Sequence, residues 1–182
     1  MFKVNIRQMA FAGIVAATYA ALTFAVAPVA YGPIQFRIAE VLCILPFFFP
    51  ITAPALFIGC AIANLLSPYG MLDVIAGSSA SLLAAICTMQ IGRINREKIA
   101  AKALACFPPV FFNALIIGAV IALPTTGGGE AFWPSFATFG LQVGLGQLVV
   151  LYGLGLPIMI YLPKTRLFKV LTGQVLRIDK PA

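Results

Sequence analysis

The sequence predicts an all-α membrane protein: a bundle of six transmembrane helices forming one domain over residues 1–182. Three observations carry this reading. First, 62% of the residues are apolar and only 9% are charged, with a mean hydropathy of +1.03. A soluble domain carries roughly a quarter charged residues. Second, the charges leave long gaps: 29 residues between Arg7 and Arg37, 32 between Glu40 and Asp73, and 19 between Asp73 and Arg93. Two more gaps, of 27 and 33 residues, run from Lys102 to Glu130 and from Glu130 to Lys164. A spanning helix needs about 20 apolar residues. Third, prolines and glycines divide these stretches into helix-sized pieces. Such a composition excludes disorder. It leaves too few polar side chains to clothe a water-soluble domain, and strands alternating apolar with polar residues, the mark of a membrane β-barrel, are absent.

The helices follow in order. Helix one covers Gln8 to Ala27, flanked by Lys3 and Arg7, and reads as a span rather than a cleaved secretory peptide. Pro28, Gly32 and Pro33 break it. Helix two starts between Ile34 and Arg37 and stops at Pro50; helix three runs from Pro54 to Leu66. Both are short, and a re-entrant hairpin in their place keeps the later loops on the same sides. Ser67-Pro68-Tyr69-Gly70 is a turn, after which helix four runs from Asp73 to Ile91. Helix five covers Lys102 to Leu123. The loop Pro124–Pro134 follows, and helix six covers Phe136 to Tyr161, with Pro157 set to kink or shorten it. The tail from Lys164 is basic and polar.

Six helices bring Lys3 and Arg7, the Arg93–Lys102 loop and the tail to one face, with eleven of the twelve basic residues. By the positive-inside rule that face, with both termini, is cytoplasmic. The formal charge of +7 is therefore an orientation signal and an attraction to anionic lipid, not a sign of nucleic acid.

A polar side chain in lipid is costly and asks for a reason. Arg37 and Glu40 share a face at the outer start of helix two, Asn64 ends helix three, and Asp73 starts helix four above Ser78, Ser79 and Ser81. Asn113 lies midway along helix five, and Gln142 and Gln147 lie on helix six. Polar groups from five helices thus gather toward the outer side. One reading makes them a surface ion pair, a helix cap and interhelical hydrogen bonds. The favoured reading makes them a pocket for a small polar molecule with donors and acceptors. Tyr31, Phe36, Tyr69 and Trp133 lie in or near the outer loops, where they either stack on a flat ring or belong to an interfacial aromatic belt.

Helix one carries two ladders of small residues, Ala12/Ala16/Ala20 and Gly13/Ala17/Ala21/Ala25, either of which suits close helix packing. There is no phosphate-binding glycine loop, so ATP hydrolysis is not expected of this chain. Histidine is absent, and Cys43, Cys60, Cys87 and Cys106 stand singly in apolar segments. No nucleophile–base pair stands out, and neither an enzyme nor a bound metal or cofactor is expected. A self-sufficient secondary transporter is a competing reading. It is disfavoured by the length, which leaves no inverted repeat of the usual size.

The stretches Tyr31-Gly-Pro-Ile-Gln-Phe-Arg-Ile-Ala-Glu40, Phe57-Ile-Gly-Cys-Ala-Ile-Ala-Asn64-Leu-Leu-Ser-Pro-Tyr-Gly70 with Asp73, and Gly144-Leu-Gly-Gln147 ahead of Gly155-Leu-Pro157 resemble the QueT family. The resemblance covers Arg7 to Tyr161. It implies the six-helix, substrate-binding S component of an energy-coupling factor (ECF) importer in a bacterial plasma membrane, assigned to queuosine precursors or salvage forms. It also implies a transmembrane scaffold subunit, with two cytosolic ATPases that use ATP and Mg. It places Ala12, Ala16 and Ala20 on the scaffold and an outward pocket under the loop after helix one. Within such a pocket Glu40 is the first choice to accept the paired donors of a deazaguanine and Asp73 the second, with Arg37 orienting Glu40 or touching the ligand. Asn64, Asn113, Gln142 or Gln147 would donate to the ring carbonyl, and Tyr31, Phe36, Tyr69 or Trp133 would stack. The fold is shared across ligands, so a different vitamin stays open.

Overall fold

The computed structural model describes residues 5–32, 35–127 and 129–175. Ile34, where helix two was expected to begin, lies outside them, as do Lys3, Gly128, Arg177 and Lys180. The described residues are helical with no strand among them. Four helices are long and apolar enough to cross a membrane: α1 (Ile6–Ala25), α4 (Gly70–Ile94), α5 (Ile99–Thr126) and α6 (Phe132–Lys164). Two shorter apolar helices lie between the first and second of these, α2 (Ile38–Phe47) and α3 (Thr52–Asn64). A further helix, α7 (Arg166–Val175), follows the last.

Local chemistry explains each boundary. Asn5 caps α1 by accepting from the Arg7 N–H, and Gln8 reaches back to the Asn5 N–H at 3.1 Å. A single helical turn, Ala27–Ala30, follows with Pro28 in its first turn. α2 is a 3₁₀ helix of ten residues containing Pro46. Proline cannot donate into an α-helical ladder, and the tighter winding rises about 2 Å per residue, giving about 20 Å. α3 is of similar length, at about 1.5 Å per residue over 13 residues. Both fall short of the roughly 30 Å hydrocarbon core, as expected of the two short legs, and four helices are long enough to cross it.

The remaining helices start earlier than the charge gaps suggest. α4 begins at Gly70, which has φ +63°, and α6 begins at Phe132. α5 is interrupted at Cys106, just before Pro108 and Pro109, and ends where Gly127 adopts φ +62°. In α6 the residues Leu151–Gly155 form a π turn just before Pro157, so the helix continues past the proline to Tyr161. The expected polar tail is a correction. Its first part is α7, whose Phe168 ring packs on Phe48 and Phe49 at centroid distances of 5.2 and 5.6 Å. Phe168 and Leu171 alternate with charges closely enough that the segment reads as merely basic.

Neighbouring long helices pack in the order α6, α5, α4, α3, α1, and α2 touches α1, α3, α4 and α6. Small residues allow the close crossings. Gly59 of α3 lies on the backbone of Ala16, and Gly118 of α5 on that of Gly140 of α6. Gly92 of α4 lies on the Phe47 carbonyl. α2 reaches Asp73 through Arg37 at one end and Gly92 through Phe47 at the other. Those α4 positions are nineteen residues apart, or about 28 Å of helix. Buried cores include an alanine-rich cluster among α1, α2 and α3, and a phenylalanine-rich cluster at the Phe48 end. Large apolar residues such as Ile14, Ile58, Ile75, Leu141 and Leu145 face outward while charges and amides lie inside. That inversion suits a bilayer and not water.

A buried polar cluster as the candidate binding site

The Asp73 end of the bundle holds a connected polar network. Arg37, 2% exposed, pairs with Asp73 at Nη2–Oδ2 3.3 Å. Its Nε donates to the Ala30 carbonyl at 3.3 Å, and its guanidinium lies 5.4 Å from the Tyr31 ring centroid. Ser67 donates to the same Asp73 oxygen at 2.5 Å. Asn64 Nδ2 donates to the Asp73 carbonyl at 2.8 Å, tying the end of α3 to the start of α4. The Tyr31 hydroxyl donates to the Ala63 carbonyl at 2.5 Å. Four of the expected residues, Arg37, Asp73, Asn64 and Tyr31, therefore meet in one place.

Glu40 sits one turn deeper and is fully buried. Both its oxygens are engaged: Tyr19 of α1 donates to Oε1 at 2.6 Å, and the Cys43 thiol donates to Oε2 at 3.0 Å. Asp73 differs, since its Oδ1 is buried with no hydrogen-bond partner among the described residues. The same holds for Asn64 Oδ1, Gln35 Nε2, Asn113 Nδ2, Gln142 Oε1 and Gln147 Oε1. An unsatisfied buried polar group costs about 1–3 kcal/mol, and native proteins carry few of them. With Ser81 Oγ, seven such atoms lie on five segments of this interior.

Gly77 leaves room for Asp73 Oδ1. A Cβ there would lie 2.9 Å from that oxygen, 2.5 Å from Asn64 Nδ2 and 3.3 Å from Ile117 Cδ1. Ile117 is one turn from Asn113 on α5 and packs with Val143, the neighbour of Gln142. The amides of α5 and α6 thus approach the α3–α4 network through the Ile117 layer, and among the described residues no hydrogen bond joins them to Arg37 or Asp73. Tyr69 packs on the same layer. Phe36 is half-buried. Trp133 is 69% exposed and packs on Phe132 and Phe136, outside the network.

Several contributors escaped the sequence reading. Tyr19 had a signal, because a tyrosine on the inward face of an alanine-rich helix needs a partner for its hydroxyl. Ser67 had only its place in a turn. Gln35 carries φ +48°, a left-handed conformation worth about 1–3 kcal/mol of strain in a non-glycine residue, and nothing in the sequence announces it. Removing the Tyr19 donor tests the Glu40 arrangement. Tyr19→Phe is expected to destabilise the fold by about 1–3 kcal/mol, the cost of stranding a buried acceptor, measured by thermal unfolding in detergent.

The alanine ladder assigned to a partner turns inward instead. Ala16 and Ala20 are buried and Ala12 packs on the alanine-rich core, with Gly59 lying on Ala16. Gly13, Ala17, Ala21 and Ala25 are exposed, and nothing lies within 4 Å of a Cβ placed on Gly13. Two adjacent ladders with one four-residue period do not reveal which is turned outward; packing against α3 decides it.

Four long apolar helices around a buried polar cluster suit a multi-pass membrane protein. Residues 9–164 match the family model described as QueT transporter, and the chain belongs to that family. It is 43% identical over 72 residues to the queuosine precursor transporter QueT of Lactococcus lactis subsp. cremoris (strain MG1363). That stretch is 38% of this chain and spans 42% of the relative's length. No solved structure matches.

Proposed function

We infer that this chain is the substrate-binding S component of an ECF importer, and that it captures a queuosine precursor or salvage form bearing a deazaguanine ring. The observation that supports the reading is the unpartnered acceptor Asp73 Oδ1 beside Gly77, with a second buried acceptor, Asn64 Oδ1, also unpartnered on the residue that ties α3 to α4. A deazaguanine presents a ring N–H and an exocyclic amine side by side, an edge that calls for acceptors such as these. Asn113 Nδ2 or Gln35 Nε2 serves the ring carbonyl. Asp73 moves ahead of Glu40 as the recognition carboxylate, because Glu40 already accepts from Tyr19 and Cys43. Arg37 holds Asp73 in place, and Tyr31 braces Arg37.

The Asp73 end faces outward and both termini lie on the cytoplasmic side of the bacterial plasma membrane. The placement of basic residues supports this. The short pair α2–α3, each about 20 Å long, packs within the bundle of long helices, and the bundle functions as six helices. ATP and Mg are handled by two partner ATPases. The transmembrane scaffold docks on the exposed ladder Gly13/Ala17/Ala21/Ala25.

Calorimetric titration of the purified protein in nanodiscs tests the substrate, using queuine, other 7-deazaguanines, queuosine, guanine and several water-soluble vitamins. Saturable binding of deazaguanines alone is the expected result. Binding of another vitamin moves the substrate, and silence across the panel defeats the reading. Calorimetry is preferred to tryptophan fluorescence because Trp133 lies outside the network. The docking face has its own test. Ala17→Leu is expected to abolish co-purification with scaffold and ATPases while leaving ligand affinity unchanged. Loss of affinity, or an intact complex, counts against that face.

A further inference from the structure

We propose that α7 is a surface latch: anionic lipid headgroups hold it against the α2–α3 turn and so keep the Phe48 end of the bundle closed. The helix divides into three sectors. Phe168, Leu171 and Thr172 lie on the flank turned to the bundle and are partly buried. Leu167 and Val170, 63% and 53% exposed, form the next flank. Arg166 and Lys169 form the third, fully outward. Protein on one side, apolar groups beside it and cations beyond is the pattern of a helix lying in the plane of a membrane surface.

Three further observations place α7 at that depth and choose its occupant. Tyr161, 64% exposed at the end of α6, has Lys164 Nζ 5.4 Å from its ring centroid, as expected at a membrane–water boundary. α7 has no acidic residue, and neither Arg166 nor Lys169 is in an ion pair among the described residues. Among the described residues none supplies their counter-charge, and at this depth headgroups are placed to do so. The rings beneath are those of the α2–α3 turn itself. Phe48 and Phe49 are at most 4% exposed, and both lie against Phe168, while Phe49 also meets Phe11 of α1 at 5.2 Å. Lifting α7 would uncover the inner end of the hairpin whose other end carries Arg37 and Asn64.

The test is amide hydrogen exchange on the full-length protein in nanodiscs, with phosphatidylcholine alone or mixed with phosphatidylglycerol. It does not depend on which face is cytoplasmic or on any ligand. The peptide over residues 166–175 is expected to exchange about tenfold more slowly in the anionic discs, consistent with two cations attracted by an anionic leaflet. The peptide over residues 47–52 should follow it. Arg166→Glu with Lys169→Glu should erase the lipid dependence of both peptides. Phe168→Ala should speed exchange of both in either lipid. Equal exchange in the two lipids overturns the proposal. So does a lipid dependence that survives the charge reversal, or protection that arises only when another protein is added, which would make α7 a protein dock.

Discussion

Asp73→Ala is expected to destabilise the protein by about 3–5 kcal/mol, the cost of breaking a buried pair from one side. Arg37 is the reason. It is 2% exposed, stays protonated at any attainable pH, and has Asp73 as its ion-pair partner among the described residues. Without that carboxylate, the Ala30 carbonyl and the Tyr31 ring are what remain to face a full charge. Ser67 and Tyr31 also lose the geometry that joins the loop before α2 to the turn before α4. Removing both charges behaves differently, because no charge is stranded. Arg37→Leu with Asp73→Ala should recover most of the loss, and the double-mutant cycle isolates the pair. Thermal unfolding in detergent reads the stability, and calorimetry on the double variant reads recognition. A stable double variant that no longer binds deazaguanine separates the structural role of the pair from its role toward ligand. If Asp73→Ala costs under about 1 kcal/mol, Arg37 is not enclosed as described.

The long helices were legible because two strong signals coincide in them: charges are excluded from spans, and prolines and glycines stand at their ends. α2 was only half legible. Pro46 and Pro50 forbid a regular α-helix, yet nothing local says that the chain winds as a 3₁₀ helix and so covers α4 from Asp73 to Gly92. The site shows the same division. That Arg37, Glu40, Asn64 and Asp73 belong together follows from the cost of burying them in an apolar chain. Which carboxylate is free does not follow, because Tyr19 reaches Glu40 across 21 residues and Arg37 reaches Asp73 across 36. Only the fold distributes those partners, and it leaves Asp73 Oδ1 open while occupying Glu40. Trp133 illustrates the opposite error: a tryptophan in a loop near the outer face invites a stacking role, and here it packs on its own helix.

Gly118→Ala should reduce both stability and ligand affinity, and the link between the two losses is geometric. A Cβ at position 118 would lie 2.7 Å from Gly140 Cα and 2.9 Å from Gly140 N. Both obstacles are backbone, so no side chain can swing aside and α5 must move away from α6. Overpacking of this kind costs about 1–3 kcal/mol. The same movement shifts Asn113 on α5 relative to Gln142 and Gln147 on α6, whose side chains carry unpartnered amide atoms. It also loosens the Ile117–Val143 layer that connects them to Gly77 and Asp73. Gly144→Ala is the control on the same pair of helices, because its Cβ would meet only the Ala114 side chain, at 3.3 Å. It should lose well under half as much stability and retain binding. Thermal unfolding and deazaguanine titration of the two variants together decide the matter. If Gly118→Ala lowers stability but binds normally, the α5–α6 amides lie outside the recognition surface, and the site contracts to Asp73, Asn64 and their neighbours on α2, α3 and α4.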